Sequence, residues 1–347
     1  MYEQFTMPFI FPKLLSMKLQ PFWLLLLMCF SAFPHSHASN SSRVASEANA
    51  LLKWKVSLDN QSQASLSSWS GNSSCNWLGI ECDHSKYVSK INLPGIGLRG
   101  TLENLNFTMF TNIHTLNVSN NNLNGSIPAQ IGVLSNLVVL DLSANKLSGI
   151  IPSEITQLIG LHDLNMSFNT FSGSLPQEIG RLRELRMLHV PWCNLTGTIP
   201  ISIKKLNNLF HLDVGGNNLF GIPQGIWHST LKHLSLAVNN FHGSIPKEIV
   251  NLRNVEILYL FGSGLSGTIP QEIGMLGKII ELDLSGCNLS GPIPISIGAL
   301  TNMLRLGLHN NQLSGNIPSE LGKFINLEIY IFKVIIFHAL FIVKLEI

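Results

Sequence analysis

The sequence predicts a repeat solenoid, α/β in class and rich in β-structure, with one parallel sheet and a helical cap at its N-terminal end. Three observations lead there. The proline of a Gly-x-Ile/Leu-Pro return (Gly-Ile-Pro at 223) recurs at 128, 152, 176, 200, 223, 246, 270, 294 and 318, in steps of 24, 24, 24, 23, 23, 24, 24 and 24 residues. An apolar-x-apolar pair runs in phase with it, at Leu116/Val118, Leu140/Leu142, Leu164/Met166, Leu188/Val190, Leu212/Val214, Leu234/Leu236, Leu258/Leu260, Leu282/Leu284 and Leu306/Leu308. Just ahead of the array, SEANALLKWKVSL (Ser46–Leu58) carries apolar residues at helical spacing. A period of two dozen residues marks a stack of supersecondary units, none of which buries its own apolar face alone.

Each element of the repeat has a physical reason. The apolar-x-apolar pair alternates with period two, so it is a short strand with one face buried. Ile91/Leu93 begins the series and Tyr330/Phe332 opens an eleventh, partial repeat. Five residues after the first apolar residue comes asparagine, at 121, 145, 169, 217, 239 and 311. A buried amide both donates and accepts, and so satisfies backbone groups that the turn leaves unpaired. Glycine and proline shape the return path. Cys193, Cys287 and Ser263 fall at the asparagine position of their repeats. Four strands at about 4.8 Å each separate the two cysteines by ~19 Å, beyond the ~7 Å that a disulfide spans. They read as small buried substitutes for asparagine, against the alternatives of reactive thiol and metal ligand.

The remaining segments bound the array. PFWLLLLMCF (Pro21–Phe30), preceded by Lys13 and Lys18 and followed by Ser36-His37-Ala38, reads as a secretory signal over residues 1–38. Residues 39–86 form the cap, in which Leu51, Leu52, Trp54 and Val56 are expected to cover the first repeat and Trp69 and Trp77 to be core. Repeats fill 87–332. The tail KVIIFHALFIVKLEI (333–347) leaves the register, and Lys333 makes it a poor spanning helix. Charged residues make up 12% of the chain and the net charge is +2, with no basic block, which excludes nucleic acid as a partner. No metal-ligand spacing, cofactor motif or catalytic constellation stands out. GIGLRG (Gly95–Gly100) has dinucleotide-loop spacing but no following helix, and HLDVGGNN (His211–Asn218) has kinase-loop spacing but consists of strand pair and turn asparagine.

The motif N-x-L-S-G-x-I-P, as in NKLSGIIPSEI (Asn145–Ile155), on this period resembles the plant-specific leucine-rich repeat. SSWSGNSSCNWLGIECD (Ser67–Asp83) is similar to the N-terminal cap of plant leucine-rich-repeat receptor-like kinases and receptor-like proteins. The resemblance covers about residues 46–332. It implies a right-handed superhelix with a concave sheet, a Cys75–Cys82 disulfide (the alternative being a metal pair), plasma-membrane or apoplastic location, a secreted peptide or protein ligand, and a leucine-rich-repeat co-receptor. The chain is expected to be the extracellular part only, without the kinase domain that such receptors carry, and no enzyme. The alternatives are a secreted inhibitor of microbial wall-degrading enzymes and a decoy receptor.

Strand positions that face inward while the apolar pair is buried vary from repeat to repeat, as a recognition surface requires. Met187, His189, Trp192, His211, Asp213, His233, Tyr259, Phe261, Glu281, Asp283 and Arg305 are therefore the candidate ligand-binding residues. Trp192, Tyr259 and Phe261 are expected to be exposed, as binding anchors or as aromatics packed on a neighbouring strand. His189, His211 and His233 lie in successive repeats and suggest contact with a carboxylate and pH sensitivity near 6 to 7, against plain surface histidine. Asn-x-Ser/Thr sequons stand at Asn40, Asn60, Asn72, Asn106, Asn117, Asn124, Asn165, Asn194 and Asn288. Sugars on Asn117 and Asn165 are expected to push ligand contact toward repeats five to ten.

Overall fold

The computed structural model describes residues 37–221, 225–228, 230–324 and 329–331, with side chains from 42 to 324 within those ranges. The expected signal (1–38, apart from the backbone of 37 and 38), the Asn40 side chain, Pro223, Phe332 and the tail (333–347) lie outside. The chain divides into two compact units, 1–41 and 42–347; the second holds the cap and the repeats.

Among the described residues, one sheet of twelve strands runs from Ile80–Cys82 to Ile329–Ile331, each repeat adding its strand beside the last. The first pair is antiparallel and the rest are parallel. The register places Leu140, Leu164, Leu188, Leu212, Leu234, Leu258, Leu282 and Leu306 in one row across the sheet. All are buried, as are their +2 partners, so the period-two reading of the strands is correct.

The asparagines make the ladder that their position predicts. Asn145 Nδ2 donates to Val118, Leu142 and Ser143 carbonyls at 3.0–3.1 Å, and its Oδ1 accepts from Leu123 N at 3.0 Å. Asn121, Asn169, Asn217, Asn239 and Asn311 repeat this pattern. Cys193 sends its thiol to Met166 O (3.0 Å), and burial pushes that thiol up to about 12. Cys287 does the same to Leu260 O (3.1 Å), 3.6 Å from Ser263 Oγ. Both cysteines are free and buried.

Beyond the asparagine turn, short parallel strands form further sheets along the edge of the stack, for example Asn122–Gly125 beside Lys146–Ile150. The period alone did not indicate them. After the return prolines 128, 152, 176, 200, 246, 270, 294 and 318 the chain winds into a 3-10 turn, as at Ser153–Gln157 behind Pro152 and Gln271–Met275 behind Pro270. Proline fixes φ near −65° and lacks a donor, which suits it to a position just before such a turn.

The cap differs from expectation in two respects. Its helix runs over His37–Ser57 and not from Ser46, because no glycine or proline interrupts 37–57. Leu51 and Trp54 are buried and Leu52 packs partly against the core, but Val56 is 71% exposed. The buried series is Glu47, Leu51, Trp54 and Leu58, spaced by four, three and four, and Val56 lies on the opposite face. Trp69 and Trp77 are core: their rings stack at 5.6 Å, and their indole N–H groups donate to Leu78 O and Ser70 O. Cys75 and Cys82 form a disulfide with Cα atoms 5.4 Å apart. A second helix, Asn60–Ser65, is capped by Asp59, whose carboxylate accepts from Ser62 N (2.8 Å) and Oγ (2.6 Å); the Asp-x-x-Ser spacing was the available signal.

Candidate functional site

The face of the long sheet opposite the leucine row carries the candidates. Its central feature is a row of rings. His189 and His211 stack with centroids 4.1 Å apart, His211 and His233 at 4.0 Å, and Tyr259 meets His233 edge-on at 5.8 Å. Phe261 meets Tyr259 edge-on at 6.0 Å. The Tyr259 hydroxyl donates to the Glu281 carboxylate, which also pairs with Arg305 at 3.2 Å. The parallel register brings these side chains together: His211, His233, Ile257, Glu281 and Arg305 occupy one row, and His189 and Tyr259 sit two residues along their strands. The result is a continuous stripe, apolar and aromatic in the middle, acidic then basic at the C-terminal side. Met187 is half-buried beside it, opposite His211.

Packing changes the chemistry expected of the histidines. Burial lowers the pKa of all three, and for His211 burial with His233 and His189 on either side pushes it down to about 3. Two imidazolium rings 4 Å apart repel, so the stack is neutral near pH 7. The expected titration near 6 to 7 is therefore displaced to lower pH. Burial, the Glu281 hydrogen bond and the Glu281 charge hold Tyr259 protonated, with its pKa raised to about 12.

Several candidates sit differently from expectation. Tyr259 and Phe261 are half-buried rather than exposed; only Trp192 of the three aromatics is exposed, at 53%. Asp213 and Asp283 spend one oxygen on their own chain: Asp213 Oδ1 accepts from Gly215 N (2.9 Å), and Asp283 Oδ1 from Ser285 N (2.9 Å) and Oγ (2.6 Å). Such local bonds turn the chain after the strand. Gly215 and Ser285, two residues after these aspartates, are buried, and so are Pro191 and Ala237 at the same place in their repeats. Asn117 and Asn165 are half-buried in the same kind of turn, with Oδ1 accepting from Ser119 and Ser167. Asn60, Asn72, Asn106, Asn124, Asn194 and Asn288 are exposed.

The residue preceding the turn asparagine takes a left-handed backbone in repeat after repeat: Asn120, Ala144, Phe168, Trp192, Gly216, Val238, Gly262, Gly286 and Asn310 have φ between 50° and 63°. A Cβ at Gly216 would sit 2.4 Å from the Trp192 indole. The ring therefore lies across the Gly216 backbone, in a depression of 350 Å³ shared with Asn169, Asn194, Asn217, Asn218 and Val238. Glycine or asparagine at five of these nine positions was the readable sign. Among the described residues no group of histidine, cysteine, aspartate or glutamate is arranged to hold a metal ion, and no helix is long and apolar enough to cross a membrane.

Residues 44–83 match the leucine-rich-repeat N-terminal domain, and residues 112–134, 136–158, 160–182, 230–252, 278–300 and 302–324 match the leucine-rich repeat. The LRR receptor-like serine/threonine-protein kinase RGI3 of Arabidopsis thaliana is 40% identical over 108 residues, which is 30% of this chain and 9% of that kinase. The ectodomain of the Arabidopsis receptor kinase HAESA, solved with an N-terminally extended IDA peptide hormone, superposes with a TM-score of 0.65 at 31% identity, over 82% of this chain and 52% of that one. A plant ice-binding protein gives 0.68 at 26% identity, over 79% of this chain and 88% of that one. This chain thus spans about half of the receptor ectodomain and a small part of the whole kinase. The chain belongs to the leucine-rich-repeat family, with the cap and repeats found in the extracellular parts of plant leucine-rich-repeat receptor-like kinases.

Proposed function

We propose that this chain is an extracellular recognition module that binds a secreted peptide or protein along the sheet face of repeats five to ten. The carrying observation is the unbroken stripe from His189 through His211, His233 and Tyr259 to Glu281 and Arg305. A peptide laid across the strands meets flat rings first and an acid–base pair last. The fixed leucine row beneath leaves these residues free to specify a partner. The neutral histidines favour an apolar or hydrogen-bonding segment over a carboxylate, and Arg305 offers the place for an acidic group. Met187, Trp192, Phe261, Asp213 and Asp283 border the stripe. HAESA, solved with a peptide hormone and in another structure with the co-receptor SERK1, supports a peptide ligand and a repeat-bearing partner for this chain as well. Plasma-membrane surface or apoplast is the corresponding location.

A second reading, a free-standing secreted protein, is favoured by the near full-length match to the plant ice-binding protein. Inhibition of a microbial wall-degrading enzyme and a decoy receptor fall under it. Panning the secreted protein against a displayed random peptide library discriminates. The recognition module enriches a consensus with an acidic residue at one end, and enrichment is lost on Arg305→Glu. No consensus, together with retarded ice growth in the same preparation, supports the free-standing reading and removes the first.

A further inference from the structure

Trp192 is exposed and stands apart from the ring stripe. It is a bulky residue held at φ 55°, the left-handed backbone that this position takes from Asn120 to Asn310, with glycine there in three of the other repeats. Its indole lies flat on Gly216, leaving the outer ring face open.

Two residues on stands Asn194, the acceptor of the sequon Asn194-Leu195-Thr196. Asn194 is also left-handed (φ 60°), and it lines the same depression as Trp192, Gly216, Asn218 and Val238. Its amide is already oriented: Nδ2 donates to Phe171 O at 3.2 Å, and Oδ1 accepts from Asn218 Nδ2 at 3.3 Å. A glycosylated asparagine keeps its carbonyl and one N–H, and so retains an acceptor for Asn218 Nδ2 and a donor for Phe171 O. Asn288 provides an internal control. It follows Cys287 as Asn194 follows Cys193, in CNLSG against CNLTG, and is likewise exposed, but Gly286 stands where the other repeat has Trp192.

We propose that Asn194 carries an N-linked glycan whose first N-acetylhexosamine packs on the open face of Trp192, so that Trp192 is a sugar platform of the protein's own and not a ligand anchor. In the modification, Asn194 Nδ2 bonds to the anomeric carbon of an oligosaccharide carried on a lipid diphosphate. The anomeric carbon–oxygen bond to phosphate breaks, the lipid diphosphate leaves with the bonding pair, and Nδ2 gives up one proton. The apolar face of the sugar ring then covers the indole, and its acetamide and hydroxyls meet the Asn194 and Asn218 side chains. The proposal rests on the reading of the chain as an exported protein. It deepens that reading by removing Trp192 from the recognition surface, which leaves the ring stripe to carry it.

The test uses the full chain secreted from plant suspension cells, as wild type, Thr196→Ala, Trp192→Ala and the double variant. Glycopeptide mass spectrometry reads occupancy at each sequon, and thermal unfolding reads stability. Asn194 is expected to be occupied. Removing its sugar by Thr196→Ala should lower Tm by about 2–4 °C more with Trp192 present than with alanine there. A second readout needs no variant: the Asn194 glycan, shielded on one face, should retain less-processed chains than the glycan on Asn288. An unmodified Asn194 beside other occupied sequons overturns the proposal and leaves the export reading standing. Absence of sugar at every sequon overturns both. An occupied Asn194 whose loss costs the same in both backgrounds returns Trp192 to the ligand surface.

Discussion

Asn217→Ala should destabilise the protein by about 4–5 kcal/mol, among the largest effects of any single replacement in the repeats. Asn217 Oδ1 accepts from Cys193 N (3.1 Å) and Leu195 N (2.9 Å), and Nδ2 donates to Val190 O (2.8 Å), Val214 O (2.9 Å) and Gly215 O (3.1 Å). One amide thus closes its own turn and ties it to the preceding repeat. Alanine leaves buried donors and acceptors without partners, at about 1–3 kcal/mol each before relaxation, and adds a small cavity. The protein itself shows which replacements the site accepts. Cys193 reaches the equivalent carbonyl, Met166 O, with its thiol, so Asn217→Cys should cost only about 1–2 kcal/mol. The reverse change, Cys193→Asn, should be neutral or stabilising. Urea unfolding midpoints of the three variants decide it. An alanine variant within about 1 kcal/mol of wild type would mean that the ladder is not what holds the turns.

Glu47→Gln should expose a loss of stability on acidification that the wild type masks. Glu47 is fully buried at the contact between the cap helix and the first strands; Oε2 accepts from Val88 N at 2.8 Å and Oε1 has no partner. Burial raises its pKa from 4.5 to about 7, against the Val88 hydrogen bond and the nearby Arg43, which lower it. Between pH 4.5 and 7 the folded state keeps a proton that the unfolded state releases. Stability therefore falls as pH rises through that window, by about 3 kcal/mol at most. The histidine stack has the opposite sign. With its pKa down to about 3, His211 stays neutral in the folded state where the unfolded state takes up a proton. Its contribution is present above 6.5 and lost as pH falls toward 3. The two trends offset each other in the wild type. Glu47→Gln removes the first, leaving a protein that loses stability steadily on acidification from pH 7 to 5. His211→Asn weakens the opposing trend, which His189 and His233 still carry, and leaves a protein that loses less on acidification than the wild type. Tm profiles over that range should diverge, and parallel profiles would refute the assignment.

Much of this architecture is legible because a strict period fixes neighbours without knowledge of the rest of the fold. Once Leu188 and Leu212 occupy equivalent places, His189, His211 and His233 have to approach one another, and Cys193 has to fall where asparagine stands in Asn169 and Asn217. What the period does not report is competition within a repeat. Asp213 and Asp283 look free on the strand, but the backbone two residues on has no other partner and captures one oxygen of each. Val56 follows the apolar run of the cap helix, yet rotation about that helix decides its face and leaves it in water. The histidine pKa shifts arise from ring-on-ring packing at 4 Å, which excludes the water that charge requires. Glu47 had no signal at all, since a carboxylate in a cap helix normally faces solvent.

On the proposed function, a constant buried ladder supports a variable sheet face whose ring stripe recognises a partner. The most direct measurement is the Kd of a library-selected peptide for wild type, for His211→Ala/Tyr259→Ala, and for Met275→Ala, a replacement of an exposed residue in a 3-10 turn away from the stripe. At least a tenfold loss, about 1.4 kcal/mol, is expected for the double variant and no change for Met275→Ala. Equal affinity of wild type and the double variant, or a loss confined to Met275→Ala, would contradict it.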